Sequence, residues 1–389
     1  MHSFLPFVVS ALCFISVVGA HPTLEKRQCQ ATLNTALTVA KTLQAHYFNT
    51  ANGQYTGGSL WTDANTLEDL HNLMLATGTN EFAAVADQSF IGKSAQSSDT
   101  AHWNSILGGS NDDAGWVVLA LWKIADYKIA RGLDATAYQN SALTIYNIIA
   151  GQWDNTCGGG VWWSTAHTYK NGNHALISYL AITNELFLLV SATGAINFPS
   201  NAAFRTNANN VWTWLKNSGM RNSAGLWNDG LTDACTNNGE TTWTYNQGVI
   251  ASGLSALYAV TKDASLLTEA EITLDATIKL LTTNNILRES CDNAAAGTVQ
   301  CNQDQQIFKG IWTKSLQYYL DRANDPARVA KYSAFLGSQS SGVFHFGTDA
   351  AGDVGSVWYA PNAGGSIFTP KTSASGLEAH IAAAKYGPC

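Results

Sequence analysis

No Asn-x-Ser/Thr triplet occurs anywhere in the sequence, so little N-linked glycan is expected on the chain. Neither a CxxC pair nor an HExxH segment is present, and the nine histidines form no metal or nucleophile–base pattern. A zinc site is therefore not expected, and no cofactor is. No GxSxG elbow occurs, although a Ser-His-Asp set assembled from distant segments stays open. Positive charge is in short supply: 21 Lys and Arg stand against 28 Asp and Glu, which leaves no basic footprint for nucleic acid. Strand-like alternation is scarce, and no Pro/Ser-rich linker or composition break divides the chain. Beyond the first 20 residues there is no long apolar run, and the segment ending in Cys389 lacks the hydrophobic tail of a lipid-anchor signal.

What is present begins with a leader. Residues 4–18 are apolar and Val18-Gly19-Ala20 is a small-residue cleavage site, the pattern of a signal peptide over 1–20. The dibasic pair Lys26-Arg27 then closes a short leader, 21–27, so the expected mature chain is a single catalytic domain over 28–389, secreted and without a membrane anchor. A chance basic pair is the alternative. Of seven cysteines, Cys13 leaves with the leader and six remain, an even number suited to disulfides in an oxidising compartment. Cys291–Cys301 is the favoured pair, because the loop between them is short and rich in Ala, Asn and Gly.

Helical periodicity dominates the remainder. Twelve helices are expected, near 30–48, 62–77, 79–94, 111–131, 134–151, 171–193, 199–218, 242–262, 264–282, 303–323, 325–338 and 371–386. Their connections alternate. Short turns such as Thr77-Gly78-Thr79 and Arg131-Gly132-Leu133 trade places with six long segments rich in Gly, Asn and Trp. Consecutive antiparallel helices put successive connections at opposite ends, so all six long loops fall on one face. The expected fold is all-α, an (α/α)6 barrel of six helical hairpins with a concave, aromatic-walled site on the long-loop face. An α-solenoid is the competing architecture, but it would show a clearer sequence repeat.

The sharpest constellation is Ser110-Asn111-Asp112-Asp113-Ala114-Gly115-Trp116, where the second long loop enters a helix. One reading is capping: a polar N-cap and two acids in the first turn satisfy free N–H groups and the helix dipole. The other is catalytic. Glycoside hydrolysis needs one carboxylic acid and one carboxylate, and neighbours whose Cα atoms lie ~3.8 Å apart suit the ~5–5.5 Å separation of retaining enzymes. Both readings hold together. Two close carboxylates also repel, which keeps a proton on one of them.

The segment Asn111-Asp112-Asp113-Ala114-Gly115-Trp116 resembles the catalytic stretch of glycoside hydrolase family 76, and three further segments agree in order: Thr244-Tyr245-Asn246-Gln247-Gly248, Gln306-Ile307-Phe308-Lys309-Gly310-Ile311 and Ser373-Ala374-Ser375-Gly376-Leu377. The resemblance spans the mature chain. It implies an (α/α)6 barrel and a fungal-type secreted endo-α-1,6-mannanase, with Asp112 as nucleophile, Asp113 as acid/base, and α-1,6-mannan or manno-oligosaccharides as substrate. The chain departs from many bacterial members in the thinner aromatic part of residues 60–68. A monomer is expected. Trp61, Asn65, Trp116, Trp162, Trp163, Asp229, Trp243, Tyr245, Asn246 and Gln247 are the candidate substrate contacts. Core packing is the alternative for the rings, an interhelical tie for the amides, and an Asp-Gly turn for Asp229. Lys309 is expected to be structural, with reach to the site as the alternative. A mannan transglycosidase and a non-catalytic carbohydrate-binding protein on the same barrel remain competing functions.

Overall fold

The computed structural model describes residues 28–389 except 168, 172–173, 177–179 and 298–299. The signal peptide and dibasic leader lie outside the described residues. Fourteen α-helices are present among the described residues, running α1 Gln30–Tyr47, α2 Leu60–Thr77, α3 Ala83–Gln88, α4 Phe90–Ser94, α5 Thr100–Leu107, α6 Asn111–Ala130, α7 Thr136–Ala150, α8 Ala181–Asn197, α9 Ala202–Asn217, α10 Thr244–Thr261, α11 Ser265–Leu280, α12 Phe308–Ala323, α13 Pro326–Gly342 and α14 Pro370–Tyr386. Among the described residues, the named strands form three two-stranded hairpins, all in loops.

Burial separates two kinds of helix. In α8 every residue from Ala181 to Ala192 is buried, so it is enclosed on all sides. In α9 only Phe204, Ala208, Val211, Trp214 and Leu215 are buried, a single stripe at helical spacing. The enclosed helices α2, α6, α8, α10, α12 and α14 pack in that order and return from α14 to α2, which closes an inner ring. Helices α1, α7, α9, α11 and α13 lean against it from outside. Small residues let the inner helices approach. A Cβ on Gly248 of α10 would stand 2.8 Å from the Cα of Trp312 on α12, so that crossing requires glycine. All six inner helices follow long segments, and their N-termini share one mouth. The expected (α/α)6 barrel is the fold observed.

Three segments differ from expectation. Residues 79–94 form two short helices, because the Ser89 side chain accepts from the Gly92 N–H and starts a new helix. The loop at 94–110 contains α5, capped by Asp99 accepting from the His102 N–H. Residues 171–193 were expected to be helical from the start, but Tyr169–Asn171 pairs antiparallel with His174–Leu176 and helix begins only at Ala181. Gly172-Asn173, between the paired residues, is a two-residue hairpin signal in sequence, and it outweighs the periodicity that favoured helix.

The expected Cys291–Cys301 disulfide is present, with two more. Cys29–Cys389 ties the start of α1 to the segment after α14. Cys157–Cys235 staples the third long loop to the fourth.

The centre of the ring is charged. Lys314 of α12, 3% exposed, reaches Glu68 at 2.9 Å, Asp69 at 2.7 Å and the Asn65 amide oxygen at 3.0 Å, all on α2. Tyr318 donates to Glu68 at 2.9 Å. Burial, with the charge of Asp69 beside it, pushes Glu378 of α14 far above its ordinary range, so it is neutral. Asn72 and Gln317 exchange amide hydrogen bonds at 3.1 Å across the same gap. Lys314→Met leaves two buried carboxylates without their cation. It is expected to lower the unfolding free energy by about 3–5 kcal/mol, measured by urea denaturation with disulfides intact; a loss under about 1 kcal/mol would show that this network is not what holds the ring.

Candidate active site

The N-terminus of α6 is locked to the third long loop. Asn111 donates its backbone N–H to the Trp163 carbonyl at 2.9 Å and its side-chain amide to the Trp162 carbonyl at 2.8 Å. The Thr165 N–H donates to the Gly109 carbonyl at 2.9 Å, and Ser110 bridges to Ser164. Gly109 has φ +86°, and a Cβ there would lie 2.6 Å from the Thr165 hydroxyl, so the two loops meet only over glycine.

That junction delivers donors to one carboxylate. Asp112 Oδ1 accepts from Ser110 Oγ at 2.6 Å and from the Asp113 N–H at 3.0 Å, while Oδ2 accepts from Trp163 Nε1 at 3.0 Å. Ser110 is also the N-cap, accepting from the Asp113 N–H at 3.3 Å. Capping and carboxylate orientation are thus one arrangement. Burial raises the Asp112 pKa above the ordinary carboxylate range, opposed by Ser110, Trp163 and the backbone N–H. Asp113 has less support. Burial first, then the charge of Asp112, and further on that of Asp304, push it up to about 8, with Ser110 opposing. The two neighbours are therefore unlike: three donors favour the ionised form of Asp112 against its burial, whereas burial and the neighbouring charge favour a proton on Asp113.

Aromatic side chains from four inner helices flank the pair. Trp61, in the first turn of α2, lies 5.9 Å from the Trp116 ring of α6 and 6.4 Å from Phe308. Trp243, just before α10, meets Phe308 edge-on at 5.6 Å, and Tyr245 stacks face to face on it at 3.8 Å. Trp61, Trp243 and Tyr245 are half-buried, whereas Trp116 and Phe308 are buried beneath them. Trp61 Nε1 donates to Asp304 at 3.2 Å. Asp229 is half-buried; burial first, then the charges of Glu240 and Asp112, raise its pKa to about 6.

Of the remaining candidates all but the half-buried Trp163 sit deeper. Trp162 is 5% exposed, donates to Asp154 at 2.5 Å and stacks on His167 with ring centres 4.6 Å apart. Trp163 meets Asp112 through its indole N–H. Asn65 donates to the Trp61 carbonyl at 3.0 Å and accepts from Lys314, so its amide is spent in the ring core. Gln247 donates to the Trp227 and Trp243 carbonyls and accepts from the Trp227 N–H and Thr273 hydroxyl, which fixes the loop carrying Asp229. Asn246 is fully buried near Asp229, and its amide makes no hydrogen bond of ordinary geometry. Lys309 is structural, as expected. It pairs with Asp292 and donates to the Ser356 carbonyl at 2.8 Å, tying the fifth long loop to the sixth.

Three residues at this mouth went unread in the sequence: Phe308, Asp304 and Glu185. Phe308 stands inside the quoted segment Gln306 to Ile311, in the first turn of an inner helix, as Trp61, Asp112 and Tyr245 do in theirs. Glu185 of α8 is fully buried with no hydrogen-bond partner. Burial, then Asp229, raise its pKa far above the usual range, so it is neutral. Among the described residues no group of three or more His, Cys, Asp or Glu could hold a metal ion.

Known proteins are similar to the chain in part of its sequence and in its fold. The mannan endo-1,6-alpha-mannosidase DCW1 of Candida albicans is 27% identical over 230 residues, 54% of this chain and 47% of that protein. DFG5 of Saccharomyces cerevisiae, of the same description, is 25% identical over 227 residues, 55% and 46% of the two chains. The curated relatives are matched over 46% to 65% of their own length. Among solved structures, an inactive variant of the α-1,6-mannanase GH76A of Salegentibacter sp. HEL1_6, in complex with α-1,6-mannotriose, superposes with TM-score 0.73 at 18% identity, over 91% of this chain and 99% of that one. Dfg5 from Chaetomium thermophilum, in complex with glucosamine, gives TM-score 0.75 at 16% identity, over 93% and 92%. The family model described as Glycosyl hydrolase family 76 matches residues 31–358, and the chain belongs to that family.

Proposed function

We propose that the chain is a retaining endo-hydrolase of α-1,6-linked mannan, with Asp112 as nucleophile and Asp113 as acid/base. The observation that carries this reading is the unequal provision for two adjacent carboxyl groups: three donors reach Asp112, while burial beside the Asp112 charge pushes Asp113 up to about 8. The relatives described as mannan endo-1,6-alpha-mannosidases and the mannanase bound to mannotriose support the substrate. That mannanase was inactivated by replacing two consecutive aspartates, the same sequence arrangement as Asp112-Asp113. Three disulfides suit an extracellular or wall-associated protein, and among the described residues no helix is long and apolar enough to cross a membrane.

In the first step Asp112 attacks the anomeric carbon, the glycosidic C–O bond breaks, and Asp113 gives its proton to the departing oxygen. Esterification removes the charge of Asp112, the second-largest cause of the raised Asp113 pKa. Asp113 is thereby left a carboxylate with less reason to hold a proton. It takes one from water, whose oxygen displaces Asp112 from the anomeric carbon. Two inversions restore the starting configuration. In this reading Trp61 and Trp243, half-buried at the mouth, stack sugars along the cleft, and Asp229 accepts from hydroxyls.

Incubation with unbranched α-1,6-mannan is expected to release oligosaccharides, sized by chromatography, with the α-anomer first in NMR. A β-anomer would mean inversion and remove the covalent intermediate. Chain-lengthened products would make the enzyme a transglycosidase using the same intermediate. Asp112→Asn should abolish glycosyl-enzyme formation. Asp113→Asn should spare activated aryl mannosides in that step, lose natural linkages, and recover deglycosylation with azide.

The pH profile of kcat/KM carries the split. Asp113 must be protonated, so the rate is expected to fall as pH rises through about 8. Asp112 must be ionised, so the rate falls again as pH drops through its raised pKa. Trp163→Phe removes one donor that favours the ionised form. It is expected to move the acid limb to higher pH and to lower the rate about tenfold at neutral pH. An acid limb left in place would mean that Trp163 serves only to pack the loop.

A further inference from the structure

Tyr245 is set apart from the other rings of the mouth. It stands in the first turn of α10, and its ring lies flat on Phe308, with centres 3.8 Å apart and 4° between the planes. That stack fixes the ring and takes one of its two faces away from sugar. What the residue offers the cleft is its hydroxyl. Tyr55, Tyr127, Tyr318 and Tyr319 all donate theirs to protein side chains. The Tyr245 hydroxyl makes no hydrogen bond among the described residues, and its oxygen is not sealed from solvent.

Two acids share its surroundings. The loop carrying Asp229 is tied to α10 by Gln247, which accepts from the Trp227 N–H and donates to the Trp227 carbonyl, each at 2.8 Å. It is tied to α8 by the Ala181 N–H, which donates to the Asp229 carbonyl at 2.8 Å. Asp229 feels the charge of Asp112. Tyr245 feels both. Burial first, then Asp229, Asp112, Glu185 and Asp304, raise its pKa far above the ordinary phenol range, so it stays a donor across the working pH. Hydroxyl, nucleophile and Asp229 therefore face one space. A mouth lined by acids is rich in acceptors, and several of its donors are already spent: Ser110 and Trp163 on Asp112, and the Trp61 indole on Asp304. The Tyr245 hydroxyl is a donor left free for substrate.

When Asp112 attacks the anomeric carbon, the sugar oxygens nearest that carbon, apart from the departing one, are the ring oxygen and the 2-hydroxyl. The ring oxygen gains positive charge in the oxocarbenium-like transition state, so a donor aimed at it would oppose the reaction. The 2-hydroxyl can accept from Tyr245 while giving its own proton to a carboxylate, and hydrogen bonds to it strengthen in the transition state. We propose that the Tyr245 hydroxyl donates to the 2-hydroxyl of the mannose held at Asp112 and so determines specificity for the manno configuration. Glucose, which carries that hydroxyl on the opposite side of the ring, forfeits the contact. The contact rests on the proposed activity for the placing of the sugar.

Tyr245→Phe keeps the ring on Phe308 and removes only the hydroxyl. With an aryl α-1,6-mannotrioside, kcat/KM for release of the aryl group is expected to fall about tenfold. With the analogue lacking the 2-hydroxyl on the aryl-bearing ring, the same substitution is expected to change kcat/KM by less than about twofold. A purely structural role would cost both glycosides alike. Binding separates the contact from turnover. On the Asp112→Asn/Asp113→Asn background, calorimetry with the same two glycosides is expected to show Tyr245→Phe weakening the mannotrioside about threefold to tenfold and sparing the analogue. That pattern without turnover by the native enzyme would uphold the contact and count against the mannanase reading. Its absence from both measurements would overturn the contact, and with turnover intact would leave the mannanase reading standing.

Discussion

Closing six parallel helices into a ring puts six N-termini at one mouth, and the rest of the molecule follows from that constraint. Each N-terminus carries unsatisfied N–H groups and partial positive charge, so the long-loop mouth favours carboxylates. Asp112 occupies the first turn of α6 and takes a backbone N–H as one of its three donors. Trp61 and Tyr245 stand in the opening turns of α2 and α10, and Phe308 opens α12. The site is therefore built on rigid elements. The loops contribute Trp163, Asp229 and Asp304, each held by a bond back to the barrel or to another loop.

A ring of this size also leaves a lumen that side chains must fill. Six apolar stripes would fill it, but this chain places Lys314, Glu68, Asp69 and Glu378 there. Such a cluster holds only when each charge is matched, and the proton on Glu378 completes the matching. Because Lys314 reaches from α12 to α2 past α14, the network braces non-neighbouring helices, which nearest-neighbour packing alone would not do.

The alternation of long and short connections was legible because it is a topological fact, independent of which residue faces where. The carboxylate pair was legible because adjacency is visible in one dimension. Side-chain roles were less so. Trp162 and Trp163 are identical neighbours in sequence, yet the backbone turns one indole toward Asp154 and the other toward Asp112. Asn65 and Gln247 look like sugar ligands from their residue type, but their partners lie 249 and 20 residues away and appear only on folding. The start of α8 was missed because apolar periodicity cannot separate a buried helix from the extended chain leading into it. Phe308 escaped notice because an apolar residue in a helix reads as core, and here it is core to a wall of rings.

Function at this mouth is held against stability. A carboxyl whose folded pKa is raised binds protons that the unfolded chain gives up, so its contribution to stability falls as pH rises from the unfolded value toward the folded one. For Asp113 that window runs from about 3.9 to about 8. Glu185 and Asp229, with raised pKa values in the same mouth, act in the same direction. Three disulfides and the braced lumen oppose this loss, and two of the disulfides, Cys157–Cys235 and Cys291–Cys301, restrain the long loops themselves. Covalent restraint therefore falls on the long loops of the mouth where ionisation of the buried carboxyl groups makes the fold weakest as pH rises.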